Sequence, residues 1–211
     1  MEKNLEKLVP EYNSKNYFVR KYFFDRINYS IKLADIKPYY KICDIGCGNA
    51  ILIKNILNSV EGVVKCFGVD INVKIKELSL PNTSFEVVDI EKERLPFESN
   101  FFDVIFAIDV LEHLRDLKNA IDEIYRVLKQ FGTFIICGPT ESYFYKFCRF
   151  LLKGTFSSKE GPASGEHYWK IKEIDKYIVE INKFKREKVI FLPKIFPKFL
   201  AGVWIIKYKK I

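Results

Sequence analysis

The sequence predicts an α/β fold in which a mostly parallel sheet carries helices on both faces. Short apolar runs, which are typical of strands, alternate with stretches whose apolar residues recur at helical spacing. The first run, Lys41–Ile45, stops at a glycine turn, and a helical stretch follows at once, as in a βαβ unit. Because each crossover helix buries one side against the sheet, this alternation indicates helices on both faces.

Local patterns predict each element in turn. A leading helix is predicted over 15–34, where apolar side chains recur at helical spacing. A central helix is predicted over 117–129, with Asp116 as its N-cap and Gly132 as a left-handed residue at its end. The other predicted helices cover 50–57, 73–78, 141–153 and 169–181. The predicted strands cover 41–45, 65–69, 84–88, 102–108, 133–137, 185–192 and 203–208.

The composition is typical of a single globular domain. The 211 residues are 48% hydrophobic and 29% charged, which is enough to bury one core, so we expect one domain over 1–211. The N-terminal stretch MEKNLEKLVPE alternates charges and has no apolar segment, which predicts a cytoplasmic protein without a secretory signal or an anchor. The five cysteines form no C-x-x-C pair, so we expect no bound metal.

Positive charge is concentrated near the C-terminus. The formal net charge is +8, and residues 151–211 hold 14 Lys and Arg against 6 Asp and Glu, whereas residues 1–150 hold 21 of each. This asymmetry indicates an anionic partner near that end, which could be a substrate, an acidic membrane surface or nucleic acid. A solvated basic face that serves solubility explains it equally well.

The glycine turn D-I-G-C-G-N-A (44–50) has two competing interpretations as a ligand site. A dinucleotide fold uses G-x-G-x-x-G, because the pyrophosphate lies at the helix N-terminus. Here Ile51 occupies the position of the third glycine, and Asp44 lies two positions before the first. A carboxylate would repel a pyrophosphate but would suit a ligand that carries an ammonium and a sulfonium. The residues therefore favour a cationic ligand.

The turn resembles the first motif of class I S-adenosylmethionine-dependent methyltransferases, D/E-x-G-x-G-x-G, with Ala50 in place of the last glycine. Two further acids support this resemblance: Asp70 ends the second predicted strand and Asp89 follows the third. Over residues 40–140 the chain is similar to the methyltransferase subfamily that contains the quinone-biosynthesis enzymes, through L-P-F (95–97), F-D-V-I (102–105), D-V-L-E-H-L (109–114) and G-T-F-I-I-C-G-P (132–139).

This resemblance implies a Rossmann-like, doubly wound sheet of seven strands whose last strand is antiparallel. It divides the domain into an N-terminal lid helix (1–38), a cofactor-binding core (40–140), a variable acceptor-side insert (141–184) and a closing strand pair (185–211). The implied cofactor is S-adenosylmethionine, which leaves as S-adenosylhomocysteine. The expected cofactor-binding residues are Asp44, Gly46, Cys47, Gly48, Asp70, Ile71, Asp89, Ile90, Ile108, Asp109 and Tyr17.

Individual roles follow from position. Asp70 is placed to accept both ribose hydroxyls, while the resemblance assigns the adenine amino group to Asp89 and the ring to the Ile90 amide. Each acid taken alone could instead be a solvated strand-end residue. The N-terminal aromatics Tyr12, Tyr17 and Phe18 could close over the cofactor, although core packing explains Phe18 equally well.

Methyl transfer from a sulfonium is an in-line displacement, so the protein mainly orients the acceptor and excludes water. A hydroxyl or ammonium acceptor also needs a base, and His113 is the candidate because it follows the fourth strand at the carboxyl edge. The matching E-H of some quinone methyltransferases lies in a motif linked to metal-assisted deprotonation, which would enlist Asp109, Glu112 and His113. The alternative, which we favour here, is a capping box between Asp109 and Glu112.

Aromatic residues around the insert predict the acceptor pocket, which would suit a flat or apolar molecule. The candidates are Tyr143, Tyr145, His167, Tyr168 and Trp169, although structural aromatics are an equal alternative. The expected acceptor is a small molecule or a lipid. The tail over 193–210 could touch an anionic membrane, but we favour its being the last hairpin of the sheet.

Two other classes of function stay open. A catalytically silent methyltransferase-like module would keep the cofactor residues without turnover. A tRNA or other nucleic-acid methyltransferase would suit the basic tail, but the chain has no N/D-P-P-Y/F motif, so we do not expect nucleic acid as a partner. The sequence does not indicate an oligomeric state.

Overall fold

A computed structural model describes residues 12, 14–140, 166–194 and 197–211 of the chain. The strands are β1 (Lys41–Ile45), β2 (Lys65–Asp70), β3 (Thr83–Val87), β4 (Phe102–Ile108), β5 (Leu128–Pro139), β6 (Phe184–Leu192) and β7 (Val203–Lys210). The α-helices are α1 (Tyr17–Ala34), α2 (Ile51–Ser59), α3 (Leu117–Val127) and α4 (Ile171–Glu180). Three short 3-10 helices cover Val73–Glu77, Leu111–His113 and Lys198–Leu200.

The seven strands form one sheet in the order β3-β2-β1-β4-β5-β7-β6. The pairs from β3 to β5 are parallel, and β7 runs antiparallel to both of its neighbours. The predicted mostly parallel sheet with an antiparallel last strand is therefore confirmed. The strand order reverses between β1 and β4, and in open α/β sheets a ligand crevice forms at that reversal, outside the carboxyl ends of the strands.

Helices cover both faces of the sheet, as predicted. On one face α1 and α2 bury apolar residues such as Ile27 and Ile53, and on the other α3 and α4 bury residues such as Ile124 and Ile174. The strands between them are nearly continuous apolar runs, because each contributes side chains to both layers. This double burial fixes the register of β1 and β4 at the reversal point.

The predicted end of α3 is wrong. The helix stops at Val127, and Leu128 already pairs with Phe102 of β4, so the backbone hydrogen bonds pass from the helix to the sheet four residues before Gly132. The left-handed residue is the exposed Phe131, with φ of 59°, while Gly132 lies inside β5. Sheet pairing has overridden the local glycine signal. The predicted helix over 141–153 lies outside the described residues.

The C-terminal segment is part of the sheet. Its apolar residues Val203, Trp204, Ile205 and Ile206 are buried between β5 and β6, so they are not available to a lipid surface. Within the described part of residues 193–211, the large exposed apolar side chains are Phe199 and Ile211. None of the helices in the described ranges is long and apolar enough to cross a bilayer.

A buried polar group joins α4 to the last two strands. The Asp175 carboxylate is 5% exposed, accepts a hydrogen bond from the Tyr208 hydroxyl at 2.7 Å, and forms an ion pair with Arg186. Burial raises the pKa of Tyr208, and the neighbouring Asp175 carboxylate raises it further, so the phenol stays a donor. This network fixes the outer helix against β6 and β7.

Tyr208→Phe should lower the free energy of unfolding by about 1.5–3 kcal/mol, because a buried carboxylate loses a hydrogen bond. Urea denaturation near pH 7 measures this. The matched control is Tyr125→Phe, whose exposed hydroxyl lies 3.4 Å from the Ile211 carbonyl oxygen and should matter by less than about 0.5 kcal/mol. Equal effects of the two variants would show that the network contributes nothing.

Candidate functional site

Acidic residues gather at the carboxyl edge of the sheet on both sides of the strand reversal. Asp44 lies near the end of β1, Asp70 ends β2, and Asp109 directly follows β4. Asp89 follows β3 two positions after its last residue. Because β1 to β4 are parallel and adjacent, the residues predicted from three separate motifs lie along one edge.

The glycine turn between β1 and α2 is held against β2. The Gly46 and Cys47 amides both donate to the Val69 carbonyl, at 2.7 and 3.1 Å. Gly46 and Gly48 have φ of 70° and 49°, a region that costs other residues energy. A side chain at Gly46 would overlap Val110, whereas one at Gly48 would meet no atom within 4 Å. The turn is therefore packed at Gly46 and open at Gly48.

Ala50, which replaces the last glycine of the motif, also adopts a left-handed conformation, with φ of 57°. Its methyl group is fully buried at the start of α2. The turn thus accommodates alanine in this position. The cost is backbone strain, which only a well-packed surrounding can hold.

Asp70 connects the end of β2 to the glycine turn. Its carboxylate accepts from the Gly48 amide at 2.8 Å through Oδ2 and from the Asn72 amide at 2.8 Å through Oδ1. The sequence predicted a ligand-binding role for Asp70 but not this structural one. The hydrogen bonds fix the orientation of the carboxylate at the mouth of the turn.

Asp44 is a buried acid, 3% exposed. Burial raises the pKa of its carboxyl well above the ordinary value, and the nearby Asp70 carboxylate raises that pKa further. Both effects disfavour the charged form, so a cation next to Asp44 would be strongly stabilised. The same environment raises the pKa of the buried Cys47 thiol, which stays protonated at neutral pH.

The acid that follows β3 is more exposed to solvent than Asp44. The Asp89 carboxylate accepts from the Glu91 amide at 3.1 Å and pairs with Lys92 at 2.8 Å. Ile90 is buried, whereas Ile71 at the end of β2 is 66% exposed, a large apolar side chain left uncovered at this edge. Ile108, the last residue of β4, is half-buried.

Asp109 contacts the first helix. It has φ of 55° and forms an ion pair with Arg26 of α1, whose side chain is 4% exposed and whose guanidinium lies 5.0 Å from the Phe23 ring centre. The predicted capping box is wrong, because the 3-10 helix begins after Val110 and has no side-chain cap. Sequence analysis missed Arg26, although a basic residue beside the apolar stripe of α1 was a usable signal.

The N-terminal aromatics divide into two groups. Tyr12 is buried and makes edge contacts with Phe23 and Phe24, at 5.5 and 5.4 Å between ring centres. Tyr17 and Phe18 are exposed, so core packing is the wrong interpretation for Phe18. That Tyr17 covers the site stays a prediction.

His113 and the acceptor-side residues lie together beyond β4. The His113 ring lies 4.7 Å from the His167 ring between centres, and its Nδ1 donates to the Glu166 carbonyl at 3.2 Å. Burial lowers the pKa of His113, and His167 lowers it further. Trp169 donates from Nε1 to the Leu114 carbonyl at 2.9 Å. Two of the predicted acceptor residues, Tyr143 and Tyr145, lie outside the described residues.

Comparison with known proteins identifies a methyltransferase domain within the chain. The methyltransferase domain family Methyltransf_11 matches residues 43–136, the segment that contains the glycine turn and β1 to β5. Residues 43–136 therefore form a methyltransferase domain. The resemblance derived from the motifs is confirmed.

Relatives and solved structures agree with this. The methyltransferase domain is 34% identical over 115 residues to the ubiquinone/menaquinone biosynthesis C-methyltransferase UbiE of Rickettsia felis, covering 52% of this chain and 44% of that one. It is 30% identical over 114 residues to the methyltransferase YcgJ of Bacillus subtilis, covering 50% and 43%. The chain thus spans less than half the length of these two relatives.

Among solved structures, the fold matches the N-methyltransferase NodS of Bradyrhizobium japonicum, determined in complex with S-adenosylhomocysteine. The TM-score is 0.63 at 15% sequence identity, over 99% of this chain and 97% of that one. At this identity the match shows a shared methyltransferase fold.

The two glycines of the turn should respond differently to alanine. Gly46→Ala adds an overlap with Val110 to the backbone strain and should lower the free energy of unfolding by about 3 kcal/mol or more. Gly48→Ala adds strain alone and should lower it by about 1 kcal/mol. Denaturant unfolding of both variants measures the difference, and equal losses would contradict the described packing of Gly46.

Asp44→Asn should raise the stability of the ligand-free protein by about 1–3 kcal/mol at pH 7. The pKa of Asp44 is higher in the folded protein than in the unfolded chain. The contribution of Asp44 to the free energy of unfolding should therefore be highest below about pH 4 and should fall as the pH rises towards the folded-state pKa. The stability advantage of the variant should therefore vanish near pH 3.

The control for Asp44 is Asp25→Asn, which removes one carboxylate from a surface pair with Lys21 and should change stability by less than about 0.5 kcal/mol. Thermal or urea unfolding across pH compares the variants. A loss of stability in Asp44→Asn at neutral pH would show that the charged carboxylate is already well stabilised without a ligand.

Proposed function

We propose that this protein transfers a methyl group from S-adenosylmethionine to a small-molecule or lipid acceptor, by in-line displacement, and releases S-adenosylhomocysteine. The observation that carries the proposal is the buried Asp44 carboxylate beside a glycine turn that is open at Gly48. This pair of features lies at the strand reversal of a methyltransferase fold.

The charges favour this cofactor over a dinucleotide. Two neighbouring carboxylates, Asp44 and Asp70, would repel a pyrophosphate at the glycine turn. A ligand with an ammonium and a sulfonium would instead offset the raised pKa of Asp44. The open space at Gly48 lets backbone approach such a ligand closely.

Each strand end has a part in the proposed site. Asp70, oriented by the Gly48 and Asn72 amides, would accept the ribose hydroxyls with its remaining lone pairs. Asp89 and the Ile90 amide would hold the adenine, and the exposed Ile71 would cover one face of the ring. The same site includes Cys47 of the turn, Ile108 and Asp109 at the end of β4, and Tyr17 of α1.

When bound, the cofactor supplies a methyl carbon activated by the sulfonium. The chain itself must orient the acceptor and keep water out. The Arg26–Asp109 ion pair supports this role, since it joins α1 to the end of β4 beside the proposed site. For a hydroxyl or ammonium acceptor, a proton must also leave, and Glu112, His113 and His167 are the titratable groups gathered where the acceptor is expected.

Calorimetry with the purified chain tests the cofactor site. S-adenosylmethionine and S-adenosylhomocysteine should each bind at one equivalent, and Asp70→Asn should weaken both by more than about tenfold, because a charged acceptor of two hydroxyls is lost. The control is Glu86→Gln, an exposed carboxylate of β3 paired with Lys76, which should bind as the native protein does.

A screen with methyl-labelled cofactor against phenols, lipids and tRNA then tests transfer. Label on a phenol or lipid supports the proposal. Cofactor binding without transfer to any acceptor would favour a catalytically silent methyltransferase-like module. Transfer to tRNA would show that the acceptor is a nucleic acid rather than a small molecule or lipid. Binding of NAD in preference to S-adenosylhomocysteine would overturn the cofactor assignment.

A further inference from the structure

The fold brings the only two histidines of the chain together. His113 follows β4 and His167 lies just beyond the 141–165 segment, yet their rings are 4.7 Å apart between centres. One ring nitrogen of each and one carboxylate oxygen of Glu112 all lie within 4.8 Å of one another. Glu112 is 2% exposed, while both histidines are half-buried, so solvent can reach the cluster from the histidine side.

We propose that Glu112, His113 and His167 bind a divalent transition-metal ion, of which Zn²⁺ is the simplest case. Two imidazoles and one carboxylate form a ligand set that such ions favour, and three protein ligands leave a coordination position open. In a tetrahedral site the ligand atoms lie roughly 3.4 Å apart, for metal–ligand distances of about 2.1 Å. The ligand atoms of Glu112, His113 and His167 lie within 4.8 Å of one another, so the distances between them need to shorten by only about an ångström.

The surrounding backbone holds the two halves of the cluster in place. The Tyr168 amide donates to the Glu112 carbonyl at 2.8 Å, and the Trp169 indole donates to the Leu114 carbonyl at 2.9 Å. These hydrogen bonds join the segment of His167 to the segment of Glu112 and His113. The ligands are therefore brought together by the fold before any metal binds, which lowers the cost of ordering them.

A further hydrogen bond determines which ring nitrogen of His113 is free to bind a metal ion. Its Nδ1 lies 3.2 Å from the Glu166 carbonyl oxygen, which can only accept, so the proton lies on Nδ1 and the lone pair on Nε2. Metal-binding histidines commonly donate their other ring nitrogen to a backbone carbonyl in this way.

The Glu112 carboxylate is the acidic member of this ligand set, and the residue is 2% exposed. Asp109 does not belong to this set, because its carboxylate pairs with Arg26. The inferred ligands therefore differ from the Asp109, Glu112 and His113 set that the motif suggested. The catalytic consequence, that a metal at this edge polarises the acceptor and eases loss of its proton, rests on the proposed function.

Zinc titration of the untagged, chelator-treated chain tests the site directly by calorimetry. The native protein should bind one equivalent with a Kd in the micromolar range or tighter. His113→Ala and His167→Ala should each weaken binding by about a hundredfold, and Glu112→Gln by at least about tenfold. The matched control is Glu166→Gln, which removes a neighbouring charge but keeps the carbonyl that accepts from His113, and it should bind within about threefold of native.

Histidine-ring NMR of the native protein removes any dependence on variants that fold poorly. Because the chain has two imidazoles, both ring signals should change together and saturate at one equivalent of Zn²⁺. Zinc bound through cysteine would leave both signals unchanged, and this result would overturn the proposal, as would a change in only one ring.

Binding of S-adenosylhomocysteine, measured in the same samples without zinc, separates the two proposals. Retained cofactor binding with no zinc binding contradicts the metal site alone. Zinc binding on both rings without cofactor binding contradicts the proposed function alone and leaves the metal site supported.

Discussion

The placing of two acids side by side at the ends of β1 and β2 is the constraint on which the rest of the site depends. Asp44 is buried, and the Asp70 carboxylate next to it adds repulsion. The fold accepts this arrangement because Asp70 is hydrogen-bonded to the Gly48 and Asn72 amides. In the proposed function, these two acids receive a positively charged ligand.

The glycine turn beside these two acids is packed at one glycine and open at the other. Gly46 is needed for packing, since Val110 of the segment after β4 fills the space where a side chain would lie. At Gly48, by contrast, an added side chain would meet no atom within 4 Å, so the turn is open there. The turn that follows β1 therefore packs, through Gly46, against the segment that follows the neighbouring strand β4. The ion pair of Arg26 with Asp109 joins α1 to that same segment.

Sequence patterns predicted the sheet well, because its strands are buried on both faces and read as continuous apolar runs with bounds such as Phe102–Ile108. The positions of the acids at the strand ends were predictable too, because each acid lies where an apolar run of the sequence stops. Whether each of them binds the cofactor stays a prediction. The end of α3 was not predictable from Gly132, because the pairing of Leu128 with Phe102 is a tertiary effect.

Contacts between distant segments could not be predicted either. The Arg26–Asp109 pair and the approach of His167 to His113 depend on how α1 and the segment before α4 pack against the sheet. Local signals at Asp109 and Glu112 favoured a capping box, but in the structure Asp109 pairs with Arg26 and Glu112 lies near the two histidines. The chemistry beyond β4 is therefore a property of the fold rather than of the D-V-L-E-H-L motif alone.

The most direct test of the central claim is a crystal structure of the chain with S-adenosylhomocysteine. The account predicts the amino-acid end of the ligand at the glycine turn beside Asp44, and both ribose hydroxyls within hydrogen-bonding distance of Asp70. A ligand bound away from the β1–β4 reversal, or a ribose that makes no contact with Asp70, would contradict it.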